Sequence, residues 1–123
     1  MKITDLLLEN KKNGGGDCFN VAGRAMLEQT HGKEAKLIHA FVSGQGPLKG
    51  VRYAHAWNEV GNVVFDYSNG RNLELPKEFY YQLGEVSEAE GEYAIYNLTE
   101  AFSKFAEHMT FGPWDLDESK GHI

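Results

Sequence analysis

Residues 51–60 and 63–68 constrain the fold more than any other part of the chain, because they are apolar, β-prone runs separated only by Gly61-Asn62. A two-residue connection led by glycine suits a hairpin with a primed turn, since glycine takes positive φ without steric cost. The turn then sets the register. Val60 faces Val63, Trp57 faces Asp66 and His55 faces Ser68. Residues directly opposite share a face, so His55, Trp57, Asp66 and Ser68 all project the same way. His55 and Asp66 become diagonal neighbours, about 7–8 Å apart at the backbone and within side-chain reach. A slip of one residue would send them to opposite faces.

Apolar spacing predicts the elements around this hairpin. Cys18, Val21, Ala22, Ala25, Met26 and Gln29 follow a three-four spacing, with Asp17 as N-cap and His31-Gly32 closing the helix. Residues 36–43 are apolar on both faces and read as an internal strand. Gly44, Gly46, Pro47 and Gly50 mark residues 43–50 as a loop. Leu75-Pro76 opens an irregular segment through Tyr80-Tyr81, and residues 86–91 read as an exposed acidic loop. Residues 93–96 suit a short strand. Asn97 and Glu100 then have capping-box spacing, ahead of a stripe of Leu98, Ala101, Phe102, Phe105, Ala106 and Met109. That is an amphipathic helix with its stripe in the core, ended by Gly112-Pro113. Residues 3–9 fit a helical turn or an edge strand equally well. The charged tail 115–123 reads as frayed, with Trp114 before it docked on the body.

The expected architecture is one α+β domain over residues 1–123. A cysteine-bearing helix packs on a small antiparallel sheet, and a C-terminal helix completes the core. With 123 residues, 41% of them hydrophobic and 12% aromatic, the chain can bury such a core. A single cysteine fits a reducing compartment, and the expected location is the cytoplasm. Leu6-Leu7-Leu8 is too short for a signal peptide, and no run approaches the ~18 apolar residues of a membrane span. The net charge of −6, with no basic cluster beyond Lys11-Lys12, argues against nucleic acid as the main partner.

The one cysteine stands between Gly14-Gly15-Gly16-Asp17 and the first turn of the predicted helix. A helix N-terminus carries about half a positive charge, which favours thiolate over thiol. A lone cysteine is more commonly a small buried hydrophobe. Together with His55 and Asp66, however, it supplies the residue types of a nucleophile, a base and an orienting acid. A zinc site from Cys18, His39, His55 and Asp66 uses the right ligand types but lacks any recognised spacing. No cofactor or metal is expected. His39, mid-strand between apolar neighbours, reads as a satisfied core or pocket-wall histidine. His31, His108 and His122 read as helix-end or tail residues, and Asn58 and Glu59 as the polar end of a strand.

Three segments carry a resemblance: Gly16-Asp17-Cys18-Phe19, Tyr53-Ala54-His55-Ala56-Trp57-Asn58-Glu59-Val60 and Val63-Val64-Phe65-Asp66-Tyr67-Ser68. In order and context they resemble the transglutaminase-like branch of the papain-like cysteine enzymes, over about residues 14–68. The resemblance implies Cys18 as nucleophile, His55 as general base and acid, and Asp66 as orienter. It implies acyl chemistry at a peptide, protein or small amide or ester substrate: peptidase, amidase, deamidase or acyl transfer. Lys12 and Asn13 stand where papain-like peptidases carry an oxyanion-hole glutamine. The Cys18 N–H is one candidate donor and Asn13 or Gln45 a second, with Trp57 a packing or substrate-binding residue beside the site. Accessory domains do not fit in this length, so calcium-dependent cross-linking is not implied. The alternative is an inactive binding or regulatory protein on the same scaffold.

Overall fold

Residues 17–44 and 46–123 are described by the computed structural model; the segment 3–9 lies outside them. Helix α1 (Cys18–Leu27) is followed by strands β1 (Lys36–Ser43), β2 (Arg52–Val60), β3 (Val63–Asp66) and β4 (Leu73–Pro76). Helix α2 (Lys77–Leu83), strand β5 (Tyr93–Tyr96) and helix α3 (Leu98–His108) complete the order. The strands form one antiparallel sheet, ordered β4-β3-β2-β1-β5.

β1 lies inside the sheet, and its two faces feed two cores because neighbouring strand residues point opposite ways. Leu37 joins Ala22 and Met26 of α1, Ala101 and Phe105 of α3, and Phe111 on one face. Ile38 and Ala40 join Trp57, Val64 and Tyr80 of α2 on the other. The α+β arrangement with α1 and α3 on the sheet is therefore as expected.

The hairpin has the predicted register where it pairs: Val60 faces Val63, Glu59 faces Val64 and Asn58 faces Phe65. Gly61 makes the turn at φ 58°. Pairing ends there, and β3 stops at Asp66, two residues short of the expected strand. Ser68 turns back on Asp66, its N–H and Oγ both donating to Oδ1 at 3.2 and 2.6 Å. That local closure competes with the ladder.

Several expectations need correction. Asp17 does not cap α1 with its side chain. Its Oδ1 instead accepts from the Asn69 N–H at 2.7 Å, tying the helix start to the turn Ser68–Gly70. α1 ends at Leu27, before His31-Gly32, and Gln29 takes the left-handed conformation at φ 52°. The irregular segment from Leu75 is in fact β4 and α2. Leu73 and Leu75 are half-buried while Glu74 and Pro76 are exposed, an alternation that Pro76 tolerates because β4 is an edge strand.

The Asn97/Glu100 capping box forms, at 2.8 and 2.9 Å. α3 ends one turn before Gly112-Pro113, with Met109 left-handed at φ 56°. Only Ala101 and Phe105 of its stripe are fully buried, and Phe102 is exposed. The tail is docked, not frayed. His122 pairs with Arg52 and Ala54 on the edge that β3 leaves, and the Asp117 N–H donates to the Gly91 carbonyl at 2.8 Å. Trp114 packs on Phe105 and Tyr96 as expected.

Candidate active site

Cys18 is the first residue of α1, on the face covered by α1 and α3, while His55 belongs to the opposite face beside Trp57. They meet where β2 and β3 separate. Beyond Asn58 and Phe65 the two strands no longer pair. Asp17 holds the start of α1 against the turn that follows β3. Asn58 fixes the helix further along, its buried Nδ2 donating to the Ala22 carbonyl at 3.1 Å. The helix is thus pinned at both sides of Cys18, whose side chain acts electrostatically on the imidazole of His55.

The other side of the imidazole is occupied by Asp66, with Nε2 2.9 Å from Oδ2. The predicted same-face, diagonal relation of His55 and Asp66 is what permits this contact. Asp66 is 2% exposed and heavily partnered. Its Oδ2 also accepts from the Tyr80 hydroxyl at 2.7 Å and from Arg71 at 3.3 Å. Ser68 occupies Oδ1. These bonds fix the carboxylate in space, which in turn fixes the ring.

The electrostatics follow from burial and partners. Burial alone favours neutral His55. The Asp66 hydrogen bond and the charges of Cys18 and Asp66 outweigh it, and the imidazole is pushed up to about 9. Burial likewise opposes ionised Asp66, but the hydrogen bond and charge of His55, with Ser68 and Tyr80, hold its carboxyl well below the usual range. Burial and the Asp66 carboxylate keep Tyr80 protonated, so it remains a donor. The arrangement is an imidazolium held between a carboxylate and a sulfur, able to give or take a proton at the thiol.

A small cavity of about 90 Å³ opens beside the ring, walled by Tyr53, Arg71, Leu73, Tyr80 and Leu83. Cys18 and His55 are each only 6% exposed. Trp57 is fully buried and its indole N–H donates to Glu59 at 2.8 Å, so it underlies His55 and offers no surface to a substrate. Asn13 and Gln45 lie outside the described residues. The Cys18 N–H, at the first position of a helix, has no acceptor within that helix.

The sequence reading left Arg71 and Tyr80 out. Arg71 had a weak signal, three residues after Ser68; Tyr80 had none, since α2 was not recognised. Asn58 and Glu59 are also not a polar strand end. Both are buried, and Glu59 accepts from Trp57 and Tyr81 with Lys77 3.7 Å away. His39 is buried but not satisfied. Neither ring nitrogen has a hydrogen-bond partner among the described residues. Phe19, Tyr96 and Trp114 surround it, and burial lowers it to about 3 against the pull of Asp115. Among the described residues no group of three His, Cys, Asp or Glu side chains is placed to hold a metal ion, and no helix is long and apolar enough to cross a membrane. No family model, curated protein or solved structure matches this chain.

Proposed function

We propose that this protein is a cysteine-dependent acyl-transfer enzyme or hydrolase of the transglutaminase-like, papain-like type. The observation that carries the reading is His55 held at 2.9 Å by buried Asp66, with Cys18 at a helix start acting electrostatically on its ring. Cys18 attacks the carbonyl carbon of an amide or ester. The bond to the leaving group breaks, and that group departs with a proton from His55. Water or an amine then attacks the thioester, gives its proton to His55, and releases the sulfur. The Cys18 N–H serves as one oxyanion donor.

A second reading, an inactive binding protein, is favoured by one observation: the pair is nearly closed to solvent, at 6% exposure for each residue. Iodoacetamide alkylation of Cys18 against pH separates the two. An enzyme reacts rapidly well below pH 7, and His55→Ala moves its profile to that of a free thiol near ~8.5. A free-thiol profile in both proteins sinks the enzymatic reading. With the first outcome, amide and ester substrates are screened for release of the leaving group.

A further inference from the structure

One edge of β2 has two different partners. β3 pairs with Asn58, Glu59 and Val60. At the other end the Ala54 N–H donates to the His122 carbonyl at 2.7 Å, and the His122 N–H donates to the Arg52 carbonyl at 2.9 Å. Tyr53 and His122 make a parallel bridge. His55 lies between the two paired stretches, in the gap that Cys18 approaches.

The tail reaches this edge through Gly121, whose backbone is extended at φ 173°. A Cβ at Gly121 would overlap the Phe41 ring, so only glycine lets the segment lie this close. The attachment itself is main chain to main chain. Such bonds carry no side-chain identity, and any extended peptide offering an N–H and a carbonyl at the same spacing can make them. Beyond the bridge, Ile123 is 60% exposed.

We propose that the β2 edge at Arg52 and Ala54 is the acceptor site for an extended peptide substrate, held closed by the chain's own Gly121 and His122. The proposal rests on Cys18, His55 and Asp66 forming an acyl-transfer site. It narrows the substrate from any amide or ester to a polypeptide bound as an added strand. Release of the tail would free that edge without disturbing the Asp66 network.

The test compares two thiol reagents, iodoacetamide and iodoacetyl-tetraalanine amide, on the full chain, on a chain ending at Lys120, and on His122→Pro. The proline removes the N–H that the Arg52 carbonyl accepts. The expected result is a rise of about tenfold in the rate ratio of peptide reagent to iodoacetamide in both variants. Adding a synthetic peptide of residues 115–123 should reverse it. An unchanged ratio in variants that keep the far-ultraviolet spectrum of the full chain overturns the acceptor site. The enzymatic reading fails on a different observable, the pH profile with iodoacetamide alone.

Discussion

Two buried histidines in this small protein respond to pH with opposite signs. The folded pKa of His55 is raised to about 9, so its contribution to stability is full below ~6.5 and is lost as pH rises through 9. His39 is lowered to about 3, so its neutral ring costs stability as pH falls from ~6.5, where the unfolded chain begins to bind the proton. At pH 4 that difference amounts to roughly 3 kcal/mol, taking 1.36 kcal/mol per pKa unit. We expect His39→Phe to fill the same aromatic pocket and remove this loss. Urea midpoints at pH 7 and pH 4 read it out: the wild type should fall further than the variant. Equal falls in both would show that His39 is not the source. The distinction between the two rings was half legible. A mid-strand histidine among apolar residues reads as core, but whether its nitrogens find partners depends on Trp114 and Tyr96, which the fold brings from far along the chain.

Elements whose signals were local were recovered, and elements defined by their partners were not. Gly61-Asn62 fixed the hairpin because the turn and register are set by adjacent residues, and Asn97 with Glu100 fixed the start of α3 for the same reason. α2, by contrast, is a short helix whose one buried residue, Tyr80, is placed by its bond to Asp66. The docked tail was invisible because its strand-like bridge depends on β3 having left the edge of β2. Asn58 shows how such a cross-element contact governs the site. Its side chain ties α1 to β2 at Ala22, one helical turn from Cys18. Asn58→Ala should cost about 0.5–1.5 kcal/mol, the usual net worth of one hydrogen bond, since the Ala22 carbonyl keeps its partner within the helix. It should also slow iodoacetamide alkylation several-fold at pH 6.5, because the helix start is no longer held against His55. Loss of stability with an unchanged alkylation rate would assign Asn58 to the fold alone.

At the scale of the whole molecule, the sheet divides two cores and only one of them supports the imidazole. Cys18, His55 and Asp66 could be singled out from the sequence because they sit in short, recognisable contexts. The shell that locks them could not, because Tyr80, Arg71 and Glu59 act across elements. The division between cores has a measurable consequence. Phe105 is fully buried in the helix-facing core, and Phe105→Ala should destabilise by about 3–5 kcal/mol through the cavity it leaves. While the protein remains folded, the pH profile of Cys18 alkylation should keep its midpoint, because Asp17 and Asn58 still hold α1, which shares this core, and His55 lies on the other face. Trp57→Phe removes less volume but takes the indole donor from Glu59, leaving it Tyr81 and Lys77, and thins the packing against the ring of His55. It should cost less stability than Phe105→Ala and yet shift the alkylation midpoint upward. Urea denaturation and the alkylation profile, measured on both variants, decide the matter. If Phe105→Ala moves the midpoint as far as Trp57→Phe does, the two cores act as one and the site draws its geometry from the entire fold.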